Sequence, residues 1–310
     1  MSINIPSDIW QDLYKYHGDA ADKVITQAKK RLAKYTEQWD LQNVAFMACE
    51  ANLLFLCESQ EFGSCVLKVG LHGEDYTEIN CLREYNGNGY CRLYKYDYED
   101  SVLLLQRIYP GNRMWDITDH NERARLFAQV LNGLQFHETT NITEQYPTYL
   151  TCMESIRKTL IDMSGHDDLI CYLDKAIKTY SELKQRHPVT CLLHGDMHQE
   201  NLLLNETGGY TIVDPKGMSD MPVMETARFI MNEVNYHEVS EPFNENNIKQ
   251  IVEIISADTD FAKQDIFKAM FVDAALGQAW SMEEHYPTQT AFNEAKQEAL
   301  DICAFVYGLL

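Results

Sequence analysis

The chain has 310 residues, 45% hydrophobic and 24% charged, a mix that excludes wholesale disorder, collagen and coiled coil. Lys+Arg is 26 and Asp+Glu is 47, for a formal net charge of −21; such a polyanion is repelled by phosphate backbones and anionic lipid, which excludes nucleic acid and membrane surfaces as partners. The nine cysteines are odd in number and never closer than eight positions, which argues against a disulfide framework or a C-x-x-C pair and fits a reduced, cytoplasmic setting.

The start, MSINIPSDIW, lacks a basic region followed by an apolar run, so no signal peptide is expected. No stretch nears the roughly 18 apolar residues of a membrane helix. Residues 7–39 read as two helices, with Ser7 as a cap and Ile9, Leu13 and Tyr16 at helical spacing. From 43 to 70, the runs NVAFMA, ANLLFLCES and SCVLKVG read as three antiparallel strands. A helix is expected from about Glu74 to Gly87, then strands at Leu93–Tyr98 and Val102–Arg107. Beyond Pro110-Gly111 the spacing predicts helices at 121–137, 149–162, 167–186, 222–239, 245–256, 261–285 and 288–308. One island, Cys191–Gly217, interrupts them. There Asn201–Leu204 and Tyr210–Val213 flank Asn205-Glu-Thr-Gly-Gly209, a hairpin signal. The expected fold is α+β. Residues 1–107 form an N-terminal lobe, with a helical extension over 1–40 and a five-stranded sheet plus one helix. Residues 108–310 form a larger helical lobe, hinged near 106–111.

The island carries the chemistry. It reads His194-Gly195-Asp196-Met197-His198-Gln199-Glu200-Asn201, then Asp214-Pro215-Lys216-Gly217. A hairpin returns its ends to one place, so Asn201 at its start can meet Asp214 at its end. An amide oxygen and a carboxylate are hard ligands suited to Mg²⁺, which keeps waters and substrate phosphates in its shell. Asp196 is then left to act as a base. His194 and His198 are four apart, but a glycine follows the first and the segment is not a helix, so zinc is rejected. His194 is expected to pack behind the loop. Lys216 could pair with an acidic neighbour or with a substrate phosphate.

H-G-D-x-x-x-x-N resembles the catalytic loop of the aminoglycoside phosphotransferase family, and it shares its Asp-to-Asn spacing with protein kinases. The D-P-K-G ending resembles the streptomycin 6-phosphotransferase and hydroxyurea-resistance kinase branch. The likeness runs from about 40 to 285 and includes Val66-Leu67-Lys68-Val69, Glu78 within EINCLREYNGNG, and LLLQRIYPG. It implies a bilobal protein-kinase-like fold and ATP- and Mg²⁺-dependent phosphorylation of a small-molecule hydroxyl. By the same resemblance Asp196 accepts the hydroxyl proton, Asn201 and Asp214 hold Mg²⁺, and Lys68 holds phosphates. Glu78 pairs with Lys68, although Glu74, Asp75 and Glu84 are alternatives. Adenine lies against the backbone near Gln106 and Ile108.

The acceptor is expected to be cationic, of the streptomycin type. Housekeeping kinases of choline, sugars or amino alcohols remain alternatives, as does a nucleotide-binding module without activity. Candidate acceptor contacts are Asp196, Glu225, Trp280 and Glu283, beside Asp273 and Glu284. Glu225 lies in Met224-Glu225-Thr226-Ala227, where the branch shows Asp-Leu-Ala. Three features depart from related patterns. The turn Ala48–Asn52 has no glycine, so there is no G-x-G-x-x-G phosphate cover. Gly195 stands where protein kinases have the Arg that reads a phosphorylated loop. Eight positions from Asp214 to Pro222 leave no room for a long activation segment.

Overall fold

A computed structural model describes residues 5–49, 52–71, 76–235, 245–283, 286 and 288–310. It divides into two compact units, Met1–Asn112 with Leu204–Val213, and Arg113–Leu203 with Asp214–Leu310. The hairpin that the sequence places in the helical part is thus counted with the first unit.

The first unit opens with α1 (Ser7–His17), a 3-10 turn and α2 (Ala21–Gln38). The α2 residues Ala21, Ile25, Ala28, Leu32 and Tyr35 are buried, spaced to make one stripe down the helix. Then come β1 (Leu41–Cys49), β2 (Asn52–Ser59), β3 (Gly63–Gly70), α3 (Tyr76–Tyr85), β4 (Leu93–Asp97) and β5 (Val102–Gln106). The strands form an antiparallel sheet in the order β1-β2-β3-β5-β4. Alternation decides which side chains meet the helices: Leu53, Phe55 and Cys57 on β2 and Cys65, Leu67 and Val69 on β3 join the α2 stripe in one core. Lys68 therefore faces the opposite side of the sheet, in register with Leu54 and Leu103. The expected Glu74 start of α3 and the glycine-free turn at 50–51 lie outside the described residues.

Three further strands, β6 (Pro110–Arg113), β8 (Leu202–Asn205) and β9 (Tyr210–Ile212), form a small sheet in the order β6-β8-β9. At the hairpin turn, Asn205 Oδ1 accepts from the backbone N–H of Thr207 and Gly209.

The second unit holds α4 (His120–Gly133), α5 (Tyr149–Met163), α6 (Asp167–Arg186), β7 (Cys191–Leu193), β10 (Met218–Asp220), α7 (Met224–Asn235), α8 (Glu245–Asp258), α9 (Lys263–Ser281) and α10 (Gln289–Gly308). Asp119 caps α4, Thr148 caps α5 and Thr288 caps α10, each side chain satisfying an N–H that the helix leaves open. Helix α9 is buried nearly all round, from Ile266 and Ala269 through Phe271, Val272 and Leu276 to Ala279. It packs against α5, α6, α7, α8 and α10. Strands β7 and β10 pair antiparallel, with Leu193 opposite Met218 and Cys191 opposite Asp220. That pair, unforeseen in the sequence, brackets the loop 194–201 and the segment 214–217.

Candidate active site

The loop leaves β7 through His194 and turns at Gly195, whose φ is +77°. A Cβ there would lie 2.6 Å from Met218 Cγ, so both the backbone angle and the neighbour require glycine. His194 is fully buried. Its Nδ1 accepts the Asp196 N–H at 3.0 Å, and its carbonyl accepts from Gly217 N at 3.0 Å. His198 N donates to Asp196 O at 2.9 Å, and Asn201 Nδ2 donates to the same carbonyl at 3.0 Å. The Asn201 amide is thus fixed with its NH₂ end toward the Asp196 backbone. Farther along, Gln199 Nε2 donates to Phe229 O and to Glu233, which pairs with Arg123. The loop is therefore held from several sides by buried groups.

The Asp196 carboxylate is gripped by two cations. Arg228 Nε on α7 lies 2.8 Å from Oδ1, and Lys216 Nζ lies 3.1 Å from Oδ2. Burial opposes its charged form, yet Lys216 and Arg228 outweigh burial and hold the carboxyl well below the usual carboxylate range. Arg228 also reaches Asp273 on α9, with its NH1 3.8 Å from Oδ2. The other Asp273 oxygen accepts from Tyr149 OH at 3.1 Å. Burial raises Asp273, with Arg228 and Tyr149 opposing. His198 is lowered by burial, and its Nδ1 accepts from Glu200 N.

Glu225 is not placed as expected. It is 1% exposed, and its two oxygens accept from the backbone N–H of His194 and Gly195. A carboxylate used in this way fixes the loop and has no face for an acceptor. Burial pushes its carboxyl up to about 8, with Asp196 and Asp273 adding to the rise and the two amides opposing it. A carboxyl raised in the folded state stabilises the protein below its ordinary value of 4.5 and loses that contribution as pH climbs to about 8. Glu225→Gln cannot ionise and should flatten that part of the stability curve in urea midpoints taken across this range. An unchanged slope would remove Glu225 as its source.

Trp280 lies two turns past Asp273, about 10 Å along the helix, and is 40% exposed. Glu283 N donates to Trp280 O, and among the described residues no side-chain hydrogen bond or ion pair ties either one to the loop. Glu284 lies outside the described residues. Arg228 and Tyr149 were missed. The signal for Arg228 was a charged residue three after Glu225 in the largely apolar run METARFIM.

In the first unit, Lys68 Nζ meets Glu78 Oε1 at 2.8 Å and Oε2 at 2.7 Å, with each residue 4% exposed. Of the alternatives, Glu74 and Asp75 lie outside the described residues. The Gln106 side-chain oxygen accepts from Arg92 N at 3.1 Å, while the Gln106 backbone N–H donates to Arg92 O at 2.8 Å. Gln106 thus fixes the strand end, and Ile108 is 9% exposed beside it.

The donor set fits a magnesium ion that completes its shell with phosphates and water. Asn201 precedes β8, and Asp214, exposed and at φ +58°, follows β9. The hairpin therefore returns one amide and one carboxylate toward the same end. Among the described residues no cluster of three or more His, Cys, Asp or Glu could hold an ion by itself. None of the nine cysteines forms a disulfide.

Residues 38–285 match the family model described as aminoglycoside/hydroxyurea antibiotic resistance kinase. The chain belongs to this family. Among curated relatives, the hydroxyurea phosphotransferase of Kitasatospora aureofaciens is 24% identical over 252 residues, 78% of this chain and 72% of that one. The streptomycin 6-kinase of Streptomyces griseus is 22% identical over 226 residues, 71% of this chain and 72% of that one. The kinase resembles in structure a choline/ethanolamine kinase family protein from Mesorhizobium loti. The TM-score is 0.65 at 13% identity, covering 90% of this chain and 94% of that one. The fold is thus the kinase-like α+β fold, and the chain is a small-molecule kinase. No helix among the described residues is long and apolar enough to cross a membrane.

Proposed function

We propose that this kinase transfers the γ-phosphoryl group of ATP to a hydroxyl of a small molecule in the cytoplasm. The observation that carries the reading is the H-G-D-x-x-x-x-N loop itself, in which Asn201 is tied to the Asp196 backbone at 3.0 Å and the Asp196 carboxylate is clamped by two cations. The P–O bond to the leaving ADP breaks, a new P–O bond to the acceptor oxygen forms, and the hydroxyl proton passes to Asp196 and on to water. A carboxylate held so far below its usual range is a weak base, so Asp196 serves mainly to orient the hydroxyl. That suits a loose transition state in which the proton leaves late. Lys68, kept in place by Glu78, binds the phosphates. Asn201 and Asp214 hold Mg²⁺, and the bound ion supplies charge neutralisation on the phosphates.

The relatives are named for streptomycin and hydroxyurea, and the family name joins aminoglycosides to hydroxyurea, so the acceptor is drawn from chemistries of this range. The net charge of −21 favours a cationic, streptomycin-type acceptor; the charges at the loop favour another class. A coupled assay of ADP release tests the reading. Release should require both an acceptor and Mg²⁺, stop with EDTA and resume with added Mg²⁺. Mg-ATP binding with flat release across aminoglycosides, choline, sugars, amino alcohols and hydroxyurea would instead make the chain a nucleotide-binding module.

A further inference from the structure

A site for a cationic acceptor needs carboxylate oxygens that are not already neutralised. Among the described residues, four of the carboxylates around this loop are already partnered. The Asp196 oxygens bind Arg228 and Lys216, one Asp273 oxygen accepts from Tyr149 OH while the other lies 3.8 Å from Arg228, and those of Glu225 accept from two backbone N–H groups. Asp220 is used in the same way by Tyr180 OH and by the backbone N–H of Tyr149 and Met221. A guanidinium or ammonium beside the reacting hydroxyl would have to displace Arg228 or Lys216 from Asp196 and leave that cation without its anion. Displacing a hydrogen-bonded ion pair of this kind is unfavourable.

Arg228 itself offers the opposite chemistry. A guanidinium carries five N–H donors in a fixed fork. Asp196 takes the Nε donor, and Asp273 lies at a long 3.8 Å from NH1. The side chain is 31% exposed, and among the described residues no hydrogen bond occupies its NH1 or NH2 donors. A planar cation there matches a carbonyl or carboxylate oxygen.

Resting on the reading of the chain as a hydroxyl kinase, we propose that Arg228 selects the acceptor. It holds Asp196 toward the hydroxyl and binds an oxygen beside that hydroxyl. The acceptor is therefore a hydroxyl flanked by a carbonyl or carboxylate oxygen, as in hydroxyurea or a 2-hydroxy acid, and hydroxyls flanked by guanidinium or ammonium groups are rejected.

The test measures ADP release by the full chain with hydroxyurea and glycerate against streptomycin and choline, for wild type, Arg228→Gln and Arg228→Lys. In wild type, kcat/KM for hydroxyurea or glycerate should exceed that for both cations by about tenfold or more. Arg228→Gln should raise KM for the oxygen-flanked acceptors by about 10- to 100-fold, the size expected for a lost charge-assisted hydrogen bond, and narrow the gap to the cations. Arg228→Lys should restore part of the loss. A wild-type preference for streptomycin or choline overturns the proposal. So does an Arg228→Gln enzyme whose kcat falls equally for every acceptor with KM unmoved, the signature of a merely structural role. If Arg228→Gln does not fold, the wild-type order decides alone. If no acceptor releases ADP, the kinase reading fails separately, and titration calorimetry with the same four compounds decides. Tighter binding of hydroxyurea or glycerate, weakened in Arg228→Gln, supports the proposal; tighter binding of the cations, equal binding or no binding overturns it.

Discussion

Asp196→Asn is expected to lower kcat by about 10²- to 10⁴-fold while nucleotide affinity stays within about twofold, since the change lies far below one factor of ten in binding. The reason lies in what the carboxylate holds. Arg228 and Lys216 sit at 2.8 and 3.1 Å from its two oxygens, and an amide can satisfy one cation while it turns an NH₂ toward the other. The acceptor hydroxyl loses its hydrogen-bond partner, and Lys216, 59% exposed, is released to solvent. Lys68, Asn201 and Asp214, the residues assigned to the nucleotide and the ion, are untouched. A coupled ADP assay gives kcat, and titration with a nucleotide gives the binding constant. Turnover like wild type would remove Asp196 from the reaction.

The parts that the sequence revealed are those whose cause is local. The apolar runs around Lys68 and the helical reading of residues 7–39 rest on neighbouring residues, and the structure forms β2, β3, α1 and α2 there. The H-G-D-x-x-x-x-N loop was legible because its geometry is set by neighbours: Gly195 must turn at φ +77°, and Asn201 reaches back only five positions to the Asp196 carbonyl. What stayed hidden depends on distant segments. Strands β7 and β10 have three residues each, too few for any period to register. Arg228 meets Asp196 across 32 positions, and nothing in METARFIM says which helix face turns to the loop. Glu225 was offered as an acceptor contact from its place in Met224-Glu225-Thr226-Ala227, where the resembled branch shows Asp-Leu-Ala. Its burial follows from the packing of α7 on α9, which the chain order does not state. The overall charge is a coarser signal. A total of −21 describes the surface as a whole, while the carboxylates at the loop are matched one by one with local donors.

The Lys68–Glu78 pair separates stability from function by a double substitution. Both residues are 4% exposed, and both carboxylate oxygens lie within 2.8 Å of the ammonium. Lys68→Met leaves a buried carboxylate without its cation, which should cost about 3–5 kcal/mol in urea unfolding. Lys68→Met with Glu78→Leu removes both charges and fills the space with apolar groups, so most of that stability should return. Activity should not return with it. If Lys68 binds the nucleotide phosphates, kcat/KM falls by about 10²- to 10³-fold in the single variant and stays down in the double one, because restoring the fold does not restore the ammonium. A double variant that regains both stability and turnover would make the pair a structural brace. The nucleotide would then need another cation, and Lys216, already bound to Asp196, could fill that place only by giving up its hold on the carboxylate that orients the acceptor.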